Sequence, residues 1–152
     1  MRYWLWLAAK TDVRPLTKMR LIEKCGDPKA IYFSARNEYE KLGVTSQRER
    51  SMLEDKSLDS ADGIFRACEE NNITILTIQD AAYPKRLARI YDPPAVLFIR
   101  GKLPLIDDEM VVSVAGTRRA SEYGLRMAYA LGRDIALCGG IVVSGLTAGI
   151  DK

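Results

Sequence analysis

Residues 110–144 read MVVSVAGTRRASEYGLRMAYALGRDIALCGGIVVS, and the order of patterns in this stretch decides the fold. MVVSVAG is a Val-rich apolar run of the kind found in strands covered on both faces, and GGIVVSG repeats it. Between them a polar turn leads into a long helical stretch from about Ser121 to Cys138. Strand, helix and strand within roughly 30 residues make a βαβ unit, with parallel strands and a right-handed crossover. The stretch therefore predicts the start of a doubly wound, Rossmann-like sheet.

Working toward the N-terminus, ITILTI is a β-branched run bounded by Asn71-Asn72 and Gln79-Asp80, and it reads as a strand. Tyr83-Pro84 precedes a short helical turn, with Tyr83 expected to pack beside the proline. Asp92-Pro93-Pro94 breaks the chain before a second strand, AVLFIRG, and KLPLIDDE is a connection. Before residue 72 the periodicity is helical, as in Leu16, Met19, Leu21 and Ile22. Gly26 suits a helix end and Asp27-Pro28 the next start; Gly43 followed by Thr45 and Ser46 repeats the signal. MRYWLWLAAK reads as a core helix, SQRERSMLEDKS as an exposed helix whose polar face is solvated, and residues 61–71 as a helix with Ile64, Phe65, Ala67 and Cys68 on its packed side. The expectation is an α/β chain with a small all-helical domain at 1–72 and the first part of a Rossmann-like parallel-sheet domain at 73–152.

Composition narrows the chemistry. With 47% apolar and 28% charged residues the chain is that of a packed globular protein. Its net charge of +3 does not by itself identify a nucleic-acid binder. No histidine is present, which removes the commonest general base and metal ligand and every triad that needs an imidazole. Cys25, Cys68 and Cys138 are odd in number and widely spaced, so buried reduced thiols in a cytoplasmic protein are expected rather than a disulfide framework or a zinc site. The opening apolar run is too short to span a bilayer and lacks a cleavage site, so no membrane partner is expected. Asp107, Asp108 and Glu109 read as a solvated connection rather than a metal site.

Two turns carry the candidate chemistry. Gly116-Thr117-Arg118-Arg119-Ala120-Ser121 lies between strand and helix, where helix N-termini present unpaired amides and partial positive charge. Gly116 lets the backbone turn sharply toward an anion, Ser121 suits the helix cap, and Arg118 and Arg119 add two guanidiniums suited to phosphate oxygens. The second turn, Ser144-Gly145-Leu146-Thr147-Ala148-Gly149-Ile150-Asp151, follows the parallel neighbour and should line the same cleft. Ser144 and Gly145 offer a hydroxyl and an amide, and Gly149 permits close backbone approach or a positive φ. Neither turn is a Walker A or GxGxxG sequence, and no cofactor is expected.

Taken in order, YPKRLARIYDPPAVLFIRG, VAGTRRASEYG and VVSGLTAGID resemble the DNA-processing protein A (DprA/Smf) family over about half the chain. The resemblance implies a non-catalytic protein that binds single-stranded DNA in a basic pocket, protects incoming strands during natural transformation and DNA uptake, and loads the RecA recombinase. It implies a homodimer for the full-length protein, and a sterile-alpha-motif-like N-terminal domain. By position the GxRxxS motif falls on Gly116, Arg118 and Ser121, and SGxAxGID on Ser144, Gly145, Gly149, Ile150 and Asp151; Thr147 stands where the family usually has Ala. Against this pattern the chain is expected to be a fragment that binds DNA weakly or not at all. A Rossmann-like nucleotide-binding enzyme or sensor using the same cleft is the competing expectation, and a protein-interaction role for residues 1–72 is a third.

Overall fold

A computed structural model describes residues 1–152 as a mixed α/β chain of eight helices and four short strands, divided into two compact units, Met1–Leu103 and Pro104–Lys152. No helix is long and apolar enough to cross a membrane.

The first unit opens with α1 (Arg2–Ala9), whose Leu5, Trp6 and Leu7 are all buried. Five more helices follow it: α2 (Pro15–Cys25), α3 (Pro28–Phe33), α4 (Arg36–Leu42), α5 (Gln47–Glu54) and α6 (Asp59–Glu70). The punctuation follows the local chemistry. Gly26 ends α2 at φ +89°, a conformation that side chains bearing a Cβ resist, and its amide donates to the Ile22 carbonyl at 2.7 Å. Asp27 then caps α3 by accepting from the Ala30 amide at 2.7 Å, with Pro28 in the first turn. Gly43 ends α4 in the left-handed region, and Ser46 with Glu49 forms a capping box on α5. Leu21, Ile31, Tyr39, Leu53 and Ala61, one from each helix after α1, join Leu5, Trp6 and Leu7 in one core cluster.

A hairpin closes this unit. β1 (Ile73–Thr77) pairs antiparallel with β2 (Val96–Arg100), Ile73 opposite Arg100 and Thr77 opposite Val96. The one-turn helix α7 (Lys85–Ala88) lies between them. An isolated pair of strands is marginal in water, and here Ala95 and Val96 are buried in the helical core while β1 packs on α6. The change of periodicity at residue 72, taken from sequence as the domain boundary, thus falls inside the first compact unit.

The second unit is a minimal βαβ. β3 (Val111–Ser113) and β4 (Ile141–Val143) run parallel with Val111 opposite Ile141, and α8 (Glu122–Leu137) makes the crossover. The strand–helix–strand order expected from residues 110–144 is present. Strands of this Val-rich kind are usually covered on both faces, and here they are not: no residue of 104–152 is buried, and Val142 and Val143 are 38% and 44% exposed. One helix on two three-residue strands cannot enclose them.

Three expectations are corrected. Glu49, on the helix expected to present a solvated polar face, is 2% exposed. Its carboxylate accepts from Arg14 Nε at 3.0 Å, Thr17 Oγ1 at 2.8 Å and the Ser46 amide at 2.8 Å, so it fastens the start of α2 to the start of α5. Phe65 is 40% exposed, because Ala61 and Cys68 hold the buried face of α6. Cys138, expected to be buried, is exposed beyond the end of α8; all three cysteines are free thiols.

Candidate nucleic-acid interface

β3 and β4 are parallel neighbours, so the chain leaves both at the same edge of the sheet. The turns that follow, 114–121 and 144–151, meet there. The Gly116 amide donates to Asp151 Oδ1 at 2.9 Å, and the Ile150 amide donates to the Thr117 carbonyl at 3.2 Å. Gly149, at φ +95°, lies so close to the first turn that an added Cβ would sit 2.1 Å from the Thr117 carbonyl oxygen. Only glycine satisfies both the dihedral and the contact.

The polar groups of the second turn are organised around Asp151. Ser144 Oγ donates to the Asp151 carbonyl and accepts from the Leu146 amide at 3.1 Å, and Thr147 Oγ1 donates to Asp151 Oδ2 at 3.1 Å. A Cβ on Gly145 would lie 3.1 Å from Asp151 Oδ2. In the first turn, Thr117 Oγ1 accepts from the Arg119 amide at 3.2 Å, and Ser121 Oγ caps α8 by accepting from the Gly124 amide at 3.2 Å. Arg118 and Arg119 are exposed, and neither takes part in an ion pair.

All eight residues singled out from sequence, Gly116, Thr117, Arg118, Arg119, Ser121, Ser144, Gly145 and Gly149, therefore lie on two interlocked turns. Their division of labour differs from the one expected. The Gly116 amide and the Ser144 hydroxyl, expected to face an anion, serve the protein's own Asp151, and Gly149 brings the two backbones together. Asp151 organises the site, and the sequence reading passed over that role; the Ser144, Thr147 and Asp151 oxygens converging within one turn were the available signal. What the arrangement leaves facing solvent is guanidinium charge at the N-terminal end of a 16-residue helix, where the helix dipole has the same sign.

Beside the turns runs a groove of about 990 Å³ along α8 and β4, lined mainly by apolar groups that include Val114, Leu125, Tyr129, Val142, Leu146 and Ile150. Ser144, Gly149 and Asp151 form part of its wall, whereas Arg118 and Arg119 stand outside it.

The model of a family described as DNA recombination-mediator protein A matches residues 74–152, just over half of the chain. The chain is 38% identical over 88 residues to the DNA processing protein DprA of Bacillus subtilis (strain 168), an alignment covering 58% of this chain and 30% of that protein. It is 34% identical over 86 residues to Protein Smf of Synechocystis sp. (strain ATCC 27184 / PCC 6803 / Kazusa), covering 55% and 22% respectively. It is 38% identical over 77 residues to the DNA processing protein DprA of Streptococcus pneumoniae (strain ATCC BAA-255 / R6), covering 49% and 26%. The aligned part thus spans less than a third of the length of each of these relatives.

Proposed function

This chain belongs to the DNA recombination-mediator protein A family, and from that premise we propose that it is a cytoplasmic, non-catalytic binder of single-stranded DNA. In this reading residues 1–72 are a sterile-alpha-motif-like helical domain and residues 73–152 the Rossmann-like DNA-binding domain. The observation that carries it is the pair of exposed guanidiniums, Arg118 and Arg119, on a turn braced from below by the Gly116–Asp151 and Ile150–Thr117 hydrogen bonds. A guanidinium presents several donors in a plane and grips phosphate oxygens in pairs, and a braced turn loses little entropy on doing so.

Binding of this kind reads the backbone and not the bases, so it tolerates any sequence and weakens with salt. We assign the finer roles implied by the resemblance, protection of incoming strands, loading of RecA and homodimer formation, to the whole family protein. A nucleotide-binding enzyme or sensor is the competing reading, and it draws less support, because the carboxylate nearest the turns, Asp151, is held by Gly116 and Thr147 rather than poised as a base.

Fluorescence anisotropy with a labelled oligothymidine at low salt tests the proposal. Arg118→Ala is expected to weaken binding and to flatten the salt dependence, by about 0.7 in the slope of log K against log salt for each phosphate that the variant no longer neutralises. Equal affinity and equal slope for the variant and the parent chain would remove Arg118 from the interface. Thermal stabilisation by mononucleotides but not by oligothymidine would favour the competing reading.

A further inference from the structure

A two-stranded sheet has two edges, and in the β1–β2 hairpin they are finished differently. The Ile78 amide donates to the Ala95 carbonyl at 3.0 Å, so 78 and 95 are a hydrogen-bonded pair. In an antiparallel ladder such pairs recur at every second residue, which makes Leu76–Leu97 and Thr74–Ile99 the others. The backbone groups of Ile73, Ile75 and Thr77 on β1, and of Val96, Phe98 and Arg100 on β2, therefore point outward.

The protein closes the β1 edge with its own turn. The Thr77 amide donates to Asp80 Oδ2 at 2.6 Å and the Thr77 carbonyl accepts from the Asp80 amide at 3.0 Å, while Ile73 and Ile75 are half-buried. The β2 edge has no such closure. Val96 is buried, but Phe98 and Arg100 are exposed, and no group of the protein hydrogen-bonds their outward amides and carbonyls. Unpaired backbone groups on a strand edge are a template for one more strand. Charge selects which strand. Residues 93–106 include Arg100 and Lys102 and no acidic residue, and neither cation takes part in an ion pair. Charged side chains on an edge discourage pairing of like strands, and a second β2 would add the same two cations to the sheet. A strand that carries carboxylates is instead attracted. A phosphate chain would use the cations, but it has no amides or carbonyls to extend the ladder.

We propose that the open edge of β2 at Phe98 and Arg100 takes up an extended acidic peptide as a third strand. The added strand satisfies the outward amides and carbonyls of both residues, covers the exposed part of Phe98 with an apolar side chain and sets carboxylates against Arg100 and Lys102. This surface lies in the first unit, and the proposal is independent of the DNA-binding reading above.

The probe is a fluorescein-labelled hexapeptide of alternating glutamate and valine, titrated into the full chain by anisotropy, with amide hydrogen exchange followed by NMR. In the free chain the Leu97 and Ile99 amides, which bond β1, are expected to exchange slowly and those of Phe98 and Arg100 fast. At saturating probe the Phe98 and Arg100 amides should slow by about tenfold or more. Two probes N-methylated at alternate residues, one for each edge of the peptide, separate a ladder from charge attraction: one is expected to lose binding and the other to keep it. Arg100→Glu, at an exposed position, should weaken the unmethylated probe about tenfold. Unchanged exchange at Phe98 and Arg100 at the highest soluble probe concentration would overturn the proposal. Equal binding of both methylated probes would reduce the edge to a polyanion surface and overturn it too. Slowing of the same two amides by oligothymidine in place of the probe would assign the edge to nucleic acid, and slowing that tracks protein concentration with no probe present would assign it to a second copy; either result overturns the acidic-peptide assignment.

Discussion

Glu49 shows how much one side chain decides. Burial pushes its carboxyl pKa up, but hydrogen bonds from Arg14, from the Ser46 amide and hydroxyl, and from Thr17 outweigh burial and hold it at about 2. The folded value lies below the ordinary 4.5, so the stabilisation is complete above that pH and is lost as pH falls from 4.5 through about 2. At 1.36 kcal/mol per unit the coupling amounts to about 3 kcal/mol at neutral pH. Glu49→Gln is expected to lose most of it at pH 7 and to show a flatter acid limb. Urea titrations at several pH values, followed by Trp4 and Trp6 fluorescence, check this, because both tryptophans lie in α1 and report on the first unit. Parallel acid limbs for the parent and the variant would dissociate the network from stability. Asp151 is a second residue of this kind, ordering a turn by accepting from Gly116 and Thr147.

Among the elements, the helices and the hairpin strands β1 and β2 follow their local signals closely, and the two parallel strands do not. Asp27, Ser46 and Ser121 each cap the helix that their position announces, because the group they satisfy is an amide three residues onward. The Val-rich runs around 111 and 141 shrink to three paired residues each, since a strand's length depends on what pairs with it. The two turns beyond β3 and β4 act as one element through Gly149. Gly149→Ala forces a side chain into a positive φ and against the Thr117 carbonyl, and it is expected to cost about 2 kcal/mol in the second unit. Faster amide exchange at Gly116 and Ile150, with tryptophan-monitored stability of the first unit unchanged, is the outcome to look for; identical exchange would show that the turns do not depend on this close approach.

At the scale of the molecule, the two units differ in the burial that stabilises them. Every buried hydrophobic side chain lies between Leu5 and Val96, whereas 104–152 exposes Tyr123, Leu125, Tyr129, Leu131 and Leu137 along α8. Cooperative protection follows buried apolar contact, so hydrogen exchange is expected to be slow through α1, α2 and α6 and much faster in α8. Equal protection in α8 would mean that its apolar face is covered in solution. Charge divides differently again: the net positive excess of the sequence falls within 85–103, in the first unit, and inside the residues 74–152 that the family model matches.

The sequence by itself determined the helix stops and starts, the strand–helix–strand order of 110–144, and the two turns that carry the candidate site, because each rests on residues within one helical turn or one strand of each other. Only the tertiary structure decided that Glu49 is a buried tie to Arg14, that β1 and β2 complete the helical core, and that Asp151 takes the Gly116 amide. The Arg14–Glu49 and Gly116–Asp151 partners are each 35 residues apart in the chain. Local pattern is silent about such partners, since a carboxylate gains or loses its hydration according to which distant donors folding brings to it.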